Sequence, residues 1–396
     1  MSSSTTTVHE QNALELPSKA VVRLKMVNLR LHSSGVFSNV YRGMLVSPEP
    51  QKEIALKKTW PDRMEGATRN LELMMLLSIS REKHKNLVQV LYTFQSIGPD
   101  KRLCESMLFD FLPTTLHSMI KTLGPPNINF IDVKLYTWQL FNGLAHLESK
   151  RICHRDIKPQ NILVDPVSGS LKIGDFGSAK VIKAGMESTS YQVTRFYRPP
   201  ELLLEARIYG CHVDVWSAGC VMGEMLRGKV LFPGRDSKHQ FQLLIETFGI
   251  PDENELHAMK APVKIEGGVS EAKGLQRLLP YATPDCVEFM QKVLVYRPKE
   301  RLRGAELLQD PFFEDLWVPG KVRKCGTPIS EVLTHDDLNA LKKPKRRSRR
   351  RTKSLHSNKS RSKVPMEGIK QDSSTTGKDS SSNTSRQDSA TDFTAD

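Results

Sequence analysis

The chain has 396 residues, of which 26% are charged and 38% hydrophobic, with a formal net charge of +14; on the usual length scale it holds roughly two to three domains. No apolar run approaches the ~18–20 residues of a membrane span: "LMMLLSIS" (73–80) is the nearest. "MSSSTTTVHEQN" has neither the pattern of a signal peptide nor a glycine at position 2, so a soluble intracellular protein is expected. Cys104, Cys153, Cys211, Cys220, Cys286 and Cys325 form no C-x-x-C pair and sit near no His cluster of zinc spacing, which points to reduced structural thiols rather than a cysteine-held metal.

Residues 1–22 are polar and weakly patterned and read as a flexible arm. From 23 the pattern is strand-like: "RLKMVNLRL", "NVYRGMLV" and "KEIALKK", with the turn cluster "SPEPQ" between the last two. Residues 65–80 predict a helix with Leu71, Leu73, Met74 and Leu77 near helical spacing. "LVQVLYTF" and "LCESMLFDFL" predict two more strands. Past Pro113 the chain turns helical, over 131–149, 213–228 and 236–248. A strand-rich first third before a helical remainder fits an α+β chain of two lobes, 23–112 and 113–316, with an extension at 317–341. Residues 342–364 hold 12 Lys/Arg and no acid, and 365–396 hold three basic and six acidic residues. The first 341 residues therefore carry only +14 − 12 + 3 = +5. This tail (342–396), basic and then Ser/Thr-rich, lacks the apolar residues to offset ordering entropy and is expected to be disordered.

Four stretches carry chemistry. "LHSSGVFSNVY" (31–41) reads as a phosphate loop, Ser33-x-Gly35-x-x-Ser38-x-Val40, in which serines stand at two glycine places of G-x-G-x-x-G-x-V. Phosphates in such a loop are held mainly by backbone N–H groups, which serine also provides. Gly35 would permit the close turn and Phe37 would sit at its tip, so a stiffer loop and weaker nucleotide binding are predicted, not abolition. "IALKK" (54–58) offers Lys57 for the α- and β-phosphates, with Glu72 on the next helix as its ion-pair partner.

"HRDIKPQN" (154–161) and "DFG" (175–177) are the most specific pair. Phosphoryl transfer needs a carboxylate near the attacking hydroxyl, cations on the phosphates and magnesium between phosphate oxygens. Asp156 would accept the hydroxyl proton and Lys158 would neutralise the moving group. Asn161 and Asp175 supply the hard oxygen ligands magnesium prefers. Farther on, "YRPPE" (197–201), "DVWSAGC" (214–220) and "YRPKERL" (296–302) suggest support: Asp214 bracing the catalytic loop, and Arg301 as a buried partner of Glu201.

With these motifs in order, the chain resembles a eukaryotic protein kinase. "ICHRDIKPQNILVD", "LKIGDFGSAK", "SYQVTRFYRPPELL" and "DVWSAGCVMGEML" closely resemble the glycogen synthase kinase 3 family, the similarity running over about residues 23–341. The resemblance implies a bilobal fold and a serine/threonine kinase using ATP and Mg2+ on protein substrates in intracellular signalling. It implies a hinge at Asp110–Leu112 with Phe109 as gatekeeper, Tyr191 as the activation-loop tyrosine, and Arg198 lining the pocket for the residue after the target. Of the three basic side chains with which that family reads a phosphate four residues beyond the target, Arg155 and Lys180 match two. Leu71 stands at the third, and Arg69, two residues away on the predicted helix, would face elsewhere. Primed-substrate selection is therefore expected to be weakened.

Two readings of other classes compete. A pseudokinase scaffold is suggested by Ser33 and Ser38 and opposed by the intact Lys57, Glu72, Asp156, Asn161 and Asp175. The basic tail could bind nucleic acid or anionic membrane by counterion release, but a nuclear-localisation signal explains it more economically, and no aromatic residue interleaves its cations. A monomer is expected, with scaffold proteins as candidate partners of the helical lobe.

Overall fold

A computed structural model describes residues 7–35, 38–60, 70–97, 103–124, 128–183, 185–189, 193–262 and 271–342. The small lobe is an antiparallel barrel of six strands: β1 (Val8–Glu15), β2 (Val21–Ser34), β3 (Ser38–Ser47), β4 (Lys52–Thr59), β5 (Tyr92–Ile97) and β6 (Leu103–Asp110), closing in the order β1-β2-β3-β4-β6-β5. Side chains alternate across a strand. Leu24, Met26, Leu45, Ile54, Leu56 and Leu108 fill the interior, and the same alternation on β4 turns Lys57 to the opposite face. There it meets α1 (Leu71–Ile79), capped by the Asn70 side chain, which accepts from the Leu73 N–H at 3.1 Å.

Two expectations change here. The arm expected to be flexible contains β1, which pairs with β2 from Val8↔Val27 to Leu14↔Val21 and buries Ala13, so the small lobe begins before residue 23. "LVQVLYTF" is strand only from Tyr92. Leu87, Val88 and Val90 instead join the large-lobe core, Leu87 bridging Ile173. An apolar run looks alike whether it pairs in a sheet or crosses beneath one. The predicted helix 65–80 is observed from Leu71, while 65–69 lie outside the described residues.

The large lobe opens with β7 (Thr114–Thr115), α2 (Leu116–Leu123) and α3 (Phe130–Ser149). α3 is buried on nearly every side, and Trp138 donates its indole N–H to the Leu308 carbonyl at 3.1 Å. The catalytic stretch follows as β8 (Ile152–Cys153), β9 (Ile162–Asp165), β10 (Ser170–Ile173) and β11 (Lys180–Val181). β9 and β10 form the short hairpin that the sequence suggested between Asn161 and Asp175. Then come α4 (Pro200–Leu203), α5 (His212–Arg227), α6 (Ser237–Phe248), α7 (Glu253–Met259), α8 (Leu275–Leu278), α9 (Pro284–Val293), α10 (Gly304–Leu308) and α11 (His335–Lys342). The extension is fastened by Arg323, which donates to Asp132 at 2.6 Å, to the Pro166 and Val167 carbonyls, and to the Tyr136 hydroxyl. Among the described residues no helix is long and apolar enough to cross a membrane.

Candidate active site

Lys57 reaches α1 from β4 and donates to both Glu72 carboxylate oxygens at 2.7 Å, while its Nζ lies 3.5 Å from Asp175 Oδ1. Burial alone would lower the Lys57 pKa, but the Glu72 and Asp175 charges carry it above its ordinary value. Desolvation alone would raise Asp175. The charge of Lys57 and hydrogen bonds from Gly177 and Lys57 instead leave it below the usual carboxylate range. Both groups are therefore ionised at neutral pH, a cation and an anion side by side at one face of the cleft.

Asp156 sits in the loop between β8 and β9. Its Oδ2 accepts from Lys158 Nζ at 2.7 Å and from Asn161 Nδ2 at 2.9 Å, and its Oδ1 accepts from the Thr194 hydroxyl at 2.6 Å. Lys158 also reaches the Thr194 oxygen at 3.3 Å. Thr194 was assigned no role from sequence; it lies inside "SYQVTRFYRPPELL", three residues ahead of "YRPPE". It ties the activation segment to Asp156.

The loop holding Asp156 is itself held. Asp214, at the start of α5, accepts the backbone N–H groups of His154 at 2.7 Å and Arg155 at 2.8 Å. Burial raises the Asp214 pKa, opposed by these two backbone N–H groups. Arg155 has φ 65°, a left-handed backbone that an L-residue keeps only where its surroundings enforce it. His154 Nδ1 accepts the Asp156 N–H at 3.3 Å, so its Nε2 carries the proton that bonds the Gly174 carbonyl at 2.9 Å. The same ring packs edge-on against buried Phe176 with centroids 4.9 Å apart. Asp156 and Asp175 are thereby mounted on one histidine-centred frame. Behind the activation segment, Arg301 makes a two-pronged ion pair with Glu201 at 2.6 and 2.7 Å, both side chains almost wholly buried, as expected from sequence.

The donor set suits magnesium. Asn161 Nδ2 is occupied by the Asp156 carbonyl and carboxylate, which leaves the amide oxygen as the ligating atom. Asp175 supplies a half-exposed carboxylate. Among the described residues no cluster of three or more His, Cys, Asp or Glu could hold a metal. A two-ligand hard-oxygen site fits an ion that retains waters and takes its remaining ligands from phosphate.

Ser33 and Ser38 flank a turn in which the Gly35 N–H donates to the Ser38 carbonyl at 2.8 Å, with Ser33 opposite Val40. A Cβ at Gly35 would meet Ser38 O at 3.5 Å, an ordinary contact, and its φ is not left-handed. The hairpin itself therefore does not demand glycine there. Phe37 lies outside the described residues, as do Arg69 and Tyr191. Phe109 is partly buried at the end of β6 and Leu112 is half-buried beyond it. Asp110, opposite Ile54, pairs with Lys52 at 2.8 Å.

Arg155 and Lys180 come together through the β8–β11 pairing, Cys153 opposite Lys180. Arg155 Nε donates to the Ser178 carbonyl at 2.7 Å, and Lys180 Nζ donates to the Glu187 carbonyl and the Ser188 hydroxyl. Leu71, at the first turn of α1, is 75% exposed. Arg198 is 6% exposed and donates to the Val193 carbonyl at 2.9 and 3.1 Å and to Ser237 at 3.3 Å.

Comparison with known proteins agrees with this geometry. Residues 30–313 match the protein kinase domain. The chain is 34% identical over 320 residues to a putative serine/threonine-protein kinase, gskl-1, of Caenorhabditis elegans, covering 80% of this chain and 86% of that one. It is 34% identical over 305 residues to protein kinase gsk3 of Schizosaccharomyces pombe, covering 76% of each. It is 31% identical over 338 residues to serine/threonine-protein kinase RIM11/MSD1 of Saccharomyces cerevisiae, covering 81% of this chain and 89% of that one.

Proposed function

The chain belongs to the protein kinase family as a serine/threonine kinase resembling glycogen synthase kinase 3, and on that premise we propose how its own residues divide the transfer of a phosphoryl group from ATP to a protein hydroxyl. The observation that carries the reading is the pair of connected networks, Lys57–Glu72–Asp175 and Asp156–Lys158–Asn161–Thr194.

Lys57, oriented by Glu72, would bind the α- and β-phosphates of ATP. Asp175 and Asn161 would hold Mg2+, which when bound neutralises charge on the phosphate oxygens. Asp156 would receive the hydroxyl hydrogen of the incoming Ser or Thr and aim its oxygen in line with the leaving group. Lys158 would then release part of its hold on Asp156 to the transferred phosphoryl oxygens. The Ser33–Val40 turn would close over the phosphates with backbone N–H groups, and Phe109, Asp110 and Leu112 would border the adenine. The experiment is phosphotransfer with Lys57→Met and Asp175→Ala. Loss in both with folding intact supports the assignment; full activity in either removes it.

The substrate reading concerns Arg155, Lys180 and Leu71. With two basic groups rather than three, and both engaged by the protein's own backbone or hydroxyls, substrates without a pre-existing phosphate are turned over nearly as well as primed ones. The basic stretch 342–364 serves nuclear targeting. Deletion of 342–396 is expected to lower the nuclear fraction of a tagged chain, and an unchanged fraction would end that proposal. The protein acts as a monomer.

A further inference from the structure

Free cysteine is among the most buried of residues and by default packs as a small apolar group. Cys153 fits that reading: it ends β8 directly before His154, is wholly buried, and shares a small core with Val193, Leu202, Tyr209 and Val213. Cys211 does not. It is partly exposed at the edge of that core and stands just ahead of the first turn of α5, where Ser, Thr, Asp or Asn would cap the helix. Its side chain makes no capping bond. The thiol instead turns back to β8 and donates to the Ile152 carbonyl at 3.4 Å.

The fold thereby brings two thiols together from distant parts of the chain. The Cys153 thiol lies within hydrogen-bond reach of the Cys211 sulfur and of the Asp214 carboxylate. Burial first, and then those two neighbours, hold it protonated, well above its ordinary pKa, so it is a poor first nucleophile. Cys211, at the solvent edge, is the thiol an oxidant reaches. Asp214 connects the pair to the catalytic loop. Its N–H donates to the Cys211 carbonyl at 3.1 Å, and its carboxylate accepts from the His154 and Arg155 N–H groups at 2.7 and 2.8 Å.

We propose that Cys153 and Cys211 form a peroxide-sensitive dithiol that closes reversibly to a disulfide and, by displacing the Asp214 brace, lowers phosphotransfer. The Cys211 sulfur attacks one peroxide oxygen; an S–O bond forms, the O–O bond breaks, and the departing hydroxide leaves as water with the thiol proton. The Cys153 sulfur then attacks the Cys211 sulfenic acid; an S–S bond forms, the S–O bond breaks, and a second water leaves with the Cys153 proton. The two thiols together lose two electrons, and hydrogen peroxide is reduced to two waters. A covalent S–S bond is shorter than any contact between thiols, so its closure draws the start of α5 toward β8 and takes the Cys153 donor from Asp214. The N–H bonds that hold His154 and Arg155, with Arg155 at φ 65°, depend on that carboxylate. Formation of the disulfide is independent of the catalytic assignment; only the loss of phosphotransfer rests on it.

The test treats the fully reduced full chain with hydrogen peroxide, blocks the remaining thiols with N-ethylmaleimide in denaturant, and maps linked tryptic peptides by tandem mass spectrometry. The principal product is expected to be the bond between Cys153 and Cys211, removed by dithiothreitol. Phosphotransfer should fall by about tenfold or more in the oxidised chain and return on reduction. Cys211→Ser, which keeps a donor for the Ile152 carbonyl, should match the unsubstituted chain when reduced and keep its activity in peroxide. Absence of that linked peptide, with Cys153 and Cys211 both recovered as maleimide adducts while other cysteines oxidise, would overturn the dithiol. A linked peptide with unchanged phosphotransfer, or equal inactivation of Cys211→Ser, would overturn its control of the catalytic loop. A reduced chain without phosphotransfer would remove the catalytic reading instead and leave the linked peptide to decide the pair.

Discussion

Replacing Arg301 by alanine would leave the Glu201 carboxylate, 2% exposed, without its cation and deprive the Val295 and His212 carbonyls of donors at 2.9 and 3.1 Å. It would also remove a guanidinium stacked 5.0 Å from the Trp216 ring. Breaking one side of a buried ion pair costs about 3–5 kcal/mol, and each carbonyl that loses its donor adds about 1 kcal/mol. Against the ~5–15 kcal/mol by which domains are stable, that is a large fraction. At about 2 °C per kcal/mol for a domain of this size, the melting temperature should fall by about 10–14 °C. Glu201→Leu with Arg301→Met should recover several degrees, since two apolar groups replace two desolvated charges and nothing is left unpaired. Differential scanning fluorimetry of the two singles and the double reads this directly. A shift under about 2 °C for Arg301→Ala, or a double variant worse than both singles, would refute the reasoning.

Three further outcomes follow from the geometry. Asp156→Asn keeps the side-chain shape but cannot accept from Lys158, Asn161 and Thr194 together, so kcat should drop by about 10²–10⁴-fold with little change in melting temperature. Gly35→Ala, which meets no clash within the turn, should leave stability unchanged and alter the KM for ATP more than kcat; a folding defect would contradict the observed turn. His84, stacked on His146 at 4.6 Å and faced by Lys85, Lys172 and Asp337, is held down to about 4, first by burial and then by the His146 and Lys85 charges. Between its ordinary 6.5 and about 4 the unfolded chain binds the extra proton, so stability is present above that window and is lost as pH falls through it. His84→Phe should flatten the melting-temperature profile there, and an unaltered profile would exclude His84 as a source.

The candidate site was legible because phosphoryl-transfer chemistry ties residue type and spacing together. "HRDIKPQN" and "DFG" point to Asp156, Asn161 and Asp175, and a charged strand residue followed by a helical acid points to Lys57 and Glu72. Asp214 and the Arg301–Glu201 pair were also readable, from "YRPPE", "DVWSAGC" and "YRPKERL" standing in order behind the phosphotransfer motifs. What stayed hidden depended on direction rather than identity. β1 was missed because its eight residues are mostly exposed and bury one side chain, Ala13, leaving almost no apolar alternation. Thr194 was indistinguishable in sequence from a solvent-facing hydroxyl. The meeting of Cys153 with Cys211 joins residues far apart in the chain, which no local pattern encodes.

The central claim is that the two networks around Lys57 and Asp156 make a working kinase despite Ser33 and Ser38 in the phosphate loop. Its most direct test is transfer of labelled phosphate from ATP by the purified full chain onto matched primed and unprimed Ser/Thr peptides, with Asp175→Ala as control. Transfer to both peptides at similar rates, abolished in the control, is the predicted result. No transfer above the control, together with no measurable ATP binding, would contradict the account and leave a kinase-fold scaffold.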